Sequence, residues 1–267
     1  MNTPVFQGHS GCKLELTSNE ILRKCSGNNL YNERLKIQML KQKSFTSTEV
    51  IKSPRVFTSG TVDDLFYFEM EYINGLSFSD FIRQTPLNLS LQFFENLIAW
   101  INSNGVNNFS DLVDNEIIIK KLKSLDKFIP KKLSKTLLKE VNNLKIPKGY
   151  CHGDLTFENI IIRNSNTFLI DFLDSYIESP FVDISKLYQD IYLQWSWRNK
   201  DVNTLTQIKL NIFRTHLENR LDLADNNIRA IEFLTIINFL RIIPYSSSNA
   251  LKNDLIKQSS DIVKQWK

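Results

Sequence analysis

Cys151-His152-Gly153-Asp154-Leu155-Thr156-Phe157-Glu158-Asn159-Ile160, followed twelve residues after its Asn by Leu169-Ile170-Asp171-Phe172, decides how this chain is read. Between the two, Ile160-Ile161-Ile162 and Thr167-Phe168-Leu169-Ile170 flank the turn-forming Asn164-Ser165-Asn166, which predicts a β-hairpin over 159–172. Such a hairpin brings a carboxylate on the preceding loop, an amide at its mouth and a second carboxylate at the end of the returning strand toward one point. Taken singly, Asp154 and Asn159 read as turn or cap residues and Asp171 as a strand end. Their joint spacing about a hairpin is what asks for chemistry.

The chemistry that uses this set is phosphoryl transfer. It needs a carboxylate to orient an acceptor hydroxyl and take its proton, and oxygen ligands to hold magnesium against nucleotide phosphates. The stretch resembles the signature of the aminoglycoside, choline and homoserine kinase-like phosphotransferases, His-Gly-Asp-x-x-x-x-Asn, an apolar strand, then Asp-Phe. The resemblance implies a bilobal protein-kinase-like fold, ATP and Mg2+ as cofactors, Asp154 as catalytic base, Asn159 and Asp171 as magnesium ligands, and His152 as the residue that orders the loop. His-Gly-Asp in place of His-Arg-Asp, with no Ala-Pro-Glu segment after Asp171, points to a small acceptor rather than a protein.

Working outward, residues 1–73 have short strand-like segments with close turns. Lys13-Leu14-Glu15-Leu16, a turn at Thr17-Ser18-Asn19 and Glu20-Ile21-Leu22-Arg23-Lys24 form a hairpin pattern, and residues 30–43 carry Tyr31, Leu35, Met39 and Leu40 at helical spacing. Strands follow at Arg55–Thr58 and Leu65–Tyr72. Asn74-Gly75 breaks the pattern. Beyond it the chain reads as helices, at 78–84, 90–103, 114–128, 131–144, 183–199, 203–222, 226–242 and 249–265, with the 159–172 hairpin embedded among them. The expected fold class is α+β: a small N-terminal antiparallel β lobe with one helix over 1–74 that binds nucleotide, and a larger, mainly helical C-terminal lobe over 75–267 that holds the catalytic and acceptor sites.

The N-terminal half offers parts for the nucleotide. Gly8-His9-Ser10-Gly11 precedes the first hairpin, and its amides could approach phosphates closely. Lys24 matches the family's strand lysine for the α- and β-phosphates, while Arg23 should point to the opposite face. Two residues compete to be the helix partner of Lys24: Glu33, with the right charge but near the helix start, and Gln38, with the more usual spacing but no charge. Phe66 to Gly75 resembles the family's last strand and hinge, where backbone groups near Glu71 and Ile73 would hold the adenine edge. Farther on, Asp183 matches a downstream family Asp that is commonly structural, or caps a helix. Asp174 is a weaker neighbour of the metal site.

Composition excludes several classes. Apolar residues make up 42% and charged residues 23%, as in ordinary globular chains. The formal net charge of +4 is spread over helix faces with no long basic stripe, which argues against nucleic acid. Three separated cysteines without a C-x-x-C pair suit a reduced cytosol, and no stretch is apolar enough for a membrane span, so a cytoplasmic enzyme is expected. Tyr188, Tyr192 and Trp195 share a helical face that would pack in the core or meet the acceptor, with Trp197 close by. A pI near 8.8 leans against polycationic aminoglycosides. The stretch 171–190 resembles phosphotransferases found with capsule and surface-glycan enzymes, which implies a sugar or polyol acceptor. Choline-, homoserine- or aminoglycoside-type kinases, or a nucleotide-binding pseudokinase, are the alternatives.

Overall fold

The computed structural model describes residues 5–7, 12–18, 20–104, 106, 109–198, 200–221 and 225–266. Gly8 and Gly11 lie outside them. Two compact units emerge: residues 1–96 with 152–175, and residues 97–151 with 176–267.

The first unit is built on a five-stranded antiparallel sheet of β1 (Val5–Gln7), β2 (Lys13–Ser18), β3 (Ile21–Cys25), β5 (Val56–Val62) and β6 (Leu65–Glu71), in the order β1-β2-β3-β6-β5. Helix α1 (Asn32–Lys43) covers it and buries Leu35, Gln38, Met39 and Gln42, which fall at i, i+3, i+4 and i+7 on one stripe. Leu35 and Met39 pack with Cys12, Phe68 and Met70 into a small core. Asp63 and Asp64 both take positive φ between β5 and β6, the conformation of a two-residue hairpin turn matched to strand twist. Side chains alternate along β3 as expected. Arg23 bonds Glu69 at 2.7 Å and lies over the Tyr67 ring, while Lys24 turns to the α1 side and is buried.

The hairpin of β8 (Ile160–Arg163) and β9 (Asn166–Leu169) forms where expected, with Asn164 at φ +56° in its turn. It does not stand alone among helices. Two-residue strands flank it, β4 (Ile51–Lys52) parallel to β9 and β7 (Leu76–Ser77) antiparallel to β8, giving a four-stranded sheet in the order β4-β9-β8-β7. The reason is that a bare hairpin exposes two rows of unpaired backbone groups, which short edge strands satisfy. Gly75 permits the approach, since a Cβ there would meet the Ile162 carbonyl oxygen at 2.5 Å. Helix α2 (Phe78–Gln84), capped by Ser77, packs Phe78 edge-on to Phe157 just ahead of β8.

The second unit is helical: the C-terminal part of α3 (Leu87–Ser103), α4 (Asn115–Leu125), α5 (Lys131–Glu140), α6 (Pro180–Leu193), α7 (Thr204–Arg220), α8 (Asp225–Leu240) and α9 (Asn249–Gln265). The packing of α6 on α8 includes a buried bond from Asn238 Nδ2 to Ser185 Oγ at 2.8 Å. Helix α6 stops at Leu193 rather than running to 199, because Gln194 turns left-handed at φ +53°. Trp195 and Trp197 therefore belong to the following 3₁₀ turn, off the face on which Tyr188 and Tyr192 stack at 5.6 Å. No described helix is long and apolar enough to cross a membrane.

Candidate active site

The site residues of the motif all lie in the first unit, on the loop between residue 152 and β8 and on the segment after β9. His152 is fully buried and anchors both. Its Nε2 lies 2.8 Å from the Ile170 carbonyl oxygen, and its Nδ1 accepts from the Asp154 N–H at 3.3 Å. Those two contacts require a proton on Nε2 and none on Nδ1, the neutral imidazole. Burial pushes the His152 pKa down to about 4, against the upward pull of the Asp154 and Asp171 carboxylates. The ring also packs on Phe172 at 4.4 Å.

Between the two anchored points the backbone is pinned closely. Leu173 N–H donates to the His152 carbonyl at 3.0 Å, and Ile170 N–H donates to the Asn159 carbonyl at 3.0 Å. Asn159 thus stands across from Ile170, the residue just before Asp171. Its Nδ2 donates to the Asp154 backbone oxygen at 2.8 Å and to Asp154 Oδ2 at 3.2 Å. This orients the amide, and the remaining group it presents is the carbonyl oxygen Oδ1. Asp171 itself takes φ +59°, and Gly153 takes φ +91°, with the Leu173 carbonyl oxygen only 2.3 Å from where a Cβ would be. Two left-handed residues, one on each side of the same contact, mark a backbone held by its surroundings.

Lys24 reaches into this group from β3. Its Nζ forms an ion pair with Asp171 Oδ1 and also donates to Gln38 Oε1 at 3.2 Å. Burial alone would lower the Lys24 pKa, but the Asp171 charge and hydrogen bond outweigh it and hold the ammonium above its ordinary value. Of the two competing helix partners, Gln38 meets the lysine. Glu33 is exposed on the other side of α1 and borders an open concavity with Asn32, Lys36, Gly60 and Phe66. Helix phase decides this: Gln38 belongs to the buried stripe with Leu35 and Met39, and Glu33 does not.

Glu71 ends β6. Its side chain pairs with Arg163 at 2.9 Å and its N–H donates to the Arg55 carbonyl at 2.9 Å. Tyr72 N–H goes to the Glu20 carbonyl at 2.8 Å, and the next residue, Ile73, is buried and makes no backbone hydrogen bond among the described residues. Asp183 is buried in the first turn of α6, where Ser179 is the capping residue, and Asp174 is exposed. Sequence reasoning passed over Lys41, whose Nζ donates to the Leu173 carbonyl at 3.1 Å. Its only signal was its place one turn after Gln38.

Asp171 and Asn159 offer a carboxylate and an amide oxygen. Such hard donors fit magnesium, which takes one or two carboxylates and completes its shell with phosphate and water. Among the described residues no group of three or more His, Cys, Asp or Glu side chains could hold a metal by itself.

A pH dependence follows from His152. Its folded pKa of about 4 lies below the ordinary 6.5, so the unfolded state binds the extra proton. The contribution to stability is complete above pH 6.5 and is lost as pH falls toward 4, by about 3 kcal/mol for a shift of this size. Urea unfolding at pH 7 and at pH 4.5 measures it. His152→Gln should be less stable than wild type at pH 7 and lose less of its stability on acidification.

Residues 110–214 match the family model described as the phosphotransferase enzyme family, a span that contains the whole 151–171 motif. No curated protein matches the chain. Several solved structures share its fold. A GDP complex of a wild-type aminoglycoside 2'-phosphotransferase is 14% identical with TM-score 0.61, covering 99% of this chain and 92% of that one. A choline/ethanolamine kinase family protein from Mesorhizobium loti is 12% identical with TM-score 0.55 over 98% and 88%. An amicoumacin kinase in complex with AMP-PNP, Ca2+ and its ligand is 15% identical with TM-score 0.59 over 98% and 88%. The family resemblance and the two-lobed kinase-like fold, an antiparallel N-terminal sheet with a mainly helical C-terminal region, are borne out.

Proposed function

We propose that this chain, which carries a phosphotransferase-family signature in a kinase-like fold, transfers the γ-phosphoryl group of ATP to a hydroxyl of a small molecule. The observation that carries the reading is the convergence of Lys24, Asp171, Asn159 and Asp154 within one unit: Lys24 pairs with Asp171, the backbone of Ile170 beside Asp171 bonds Asn159, and the Asn159 amide bonds the Asp154 carboxylate. Four unrelated turn or surface residues have no reason to form such a chain.

In this reading Asp154 accepts the proton of the acceptor hydroxyl, and the Asn159 amide fixes the direction of its carboxylate. Lys24 supplies a buried positive charge for the nucleotide phosphates, exchanging Asp171 for them. Asp171 and Asn159 would hold magnesium, which when bound neutralises charge on the phosphates. The backbone of Ile73, beside Glu71, would take the adenine edge. The nucleotide and metal assignments draw support from the GDP and AMP-PNP complexes of the similar folds.

For the acceptor we favour a sugar or polyol, as in the surface-polysaccharide association of the sequence resemblance, over choline, homoserine or an aminoglycoside. The net charge of +4 is a poor match for polycationic acceptors. A second reading, a nucleotide-binding pseudokinase, is favoured by one observation, the neutral Gln38 where a carboxylate would pair Lys24.

The test is magnesium-dependent ADP release by the purified protein against sugars, polyols, choline, homoserine and aminoglycosides. Stimulation by one class is the expected result and identifies the acceptor. Nucleotide binding without turnover on any class would favour the pseudokinase, and absence of nucleotide binding would overturn both readings.

A further inference from the structure

Helix α1 is tied to the segment after β9 in two ways, one through Lys24 of β3 and one direct. Gln38 holds Lys24, which pairs with Asp171, and one turn later Lys41 donates to the Leu173 carbonyl at 3.1 Å. Gln38 and Lys41 are three residues apart and so project from one side of the helix. The two tethers differ in kind. The first runs through a lysine that the proposed function sends to the phosphates, and Gln38, a neutral amide whose Nε2 is buried without a hydrogen-bond partner, has no charge with which to hold it. Once Lys24 turns to a nucleotide, that tether is open.

The second tether meets a peptide where several constraints cross. The Leu173 carbonyl lies against Gly153, in the space a Cβ would fill, and the Leu173 N–H is bound to the His152 carbonyl. Anything that fixes Leu173 fixes the backbone on both sides, Asp171 at its left-handed φ of +59° and Gly153 next to Asp154.

We propose that Lys41 is a positioning residue: through the Leu173 carbonyl it keeps Asp171 in place for the cation when Lys24 has left for the phosphates. The inference rests on the kinase reading for its purpose but not for its geometry, and the experiment separates the two. Hydrogen exchange of residues 170–175 in the nucleotide-free protein is compared for wild type, Lys41→Met and Lys41→Arg, and nucleotide-analogue binding is titrated with magnesium and repeated in chelator. Loss of one hydrogen bond from a charged donor should speed exchange and raise the magnesium needed for half-maximal binding, each by about tenfold in Lys41→Met. Binding in chelator should not change, and Lys41→Arg, which keeps a charged donor, should recover most of both effects. Wild-type exchange and magnesium dependence in Lys41→Met would overturn the proposal, as would an arginine variant no better than methionine. If wild type binds no nucleotide, the kinase reading fails, while the exchange comparison still decides whether Lys41 holds the loop.

Discussion

Replacing Asp154 with alanine is expected to lower phosphoryl transfer by about 10²–10⁴-fold, the usual contribution of a positioned general base. The variant suits the purpose because the fold around it keeps its anchors. Asn159 Nδ2 retains its 2.8 Å bond to the backbone oxygen of residue 154, and the 154 N–H retains His152 Nδ1. Steady-state ADP release on the best acceptor, beside magnesium–nucleotide affinity, gives the measurement. Turnover should collapse while binding persists. A variant that turns over its acceptor near the wild-type rate would remove Asp154 from the role of base.

The second large effect is expected at Gly153. At φ +91° an L-residue is strained by roughly 1–3 kcal/mol. The added Cβ would also meet a backbone oxygen, that of Leu173, at 2.3 Å, and backbone cannot swing aside as a side-chain tip can. Gly153→Ala should therefore lose at least the strain energy in urea unfolding, and it should push Leu173 away from both His152 and Lys41. Gly60 gives the contrast, because the nearest atoms a Cβ there would meet belong to the Tyr67 side chain, its hydroxyl oxygen at 3.0 Å, with no positive φ. Equal stability of the two alanine variants would show that the 152–173 contact is not constrained as described.

The motif was legible because its information is local. Asn159 follows Asp154 by five positions and Asp171 follows Asn159 by twelve, and the turn between β8 and β9 is written in Asn164-Ser165. Helices α1, α2 and α9 showed their period in the same way. The two short strands β4 and β7 were not legible, since two residues carry no alternation and their pairing is decided by partners over a hundred and over eighty positions away. Gln38 was left open against Glu33 because charge and helix phase pointed to different residues. The phase won, although polar residues at two of the four buried positions of α1 blurred the stripe. The end of α6 was misjudged because apolar and aromatic residues continue past Leu193, and only the left-handed Gln194 breaks the helix. Lys41 left no trace, as its partner is a main-chain oxygen and any residue supplies one.

The ion pair between Lys24 and Asp171 joins residues 147 positions apart, and the first unit is closed only when 152–175 joins 1–96. On a ribosome adding about 5–20 residues per second, Lys24 waits roughly 7–30 s for its carboxylate to be made. Until then Gln38 can give the ammonium one neutral acceptor, and a charge enclosed without a counter-charge is costly. The N-terminal strands thus have reason to stay open while the intervening helices are being made. The order of synthesis is built into the site: the Lys24 side completes itself only after Asp171 has left the tunnel.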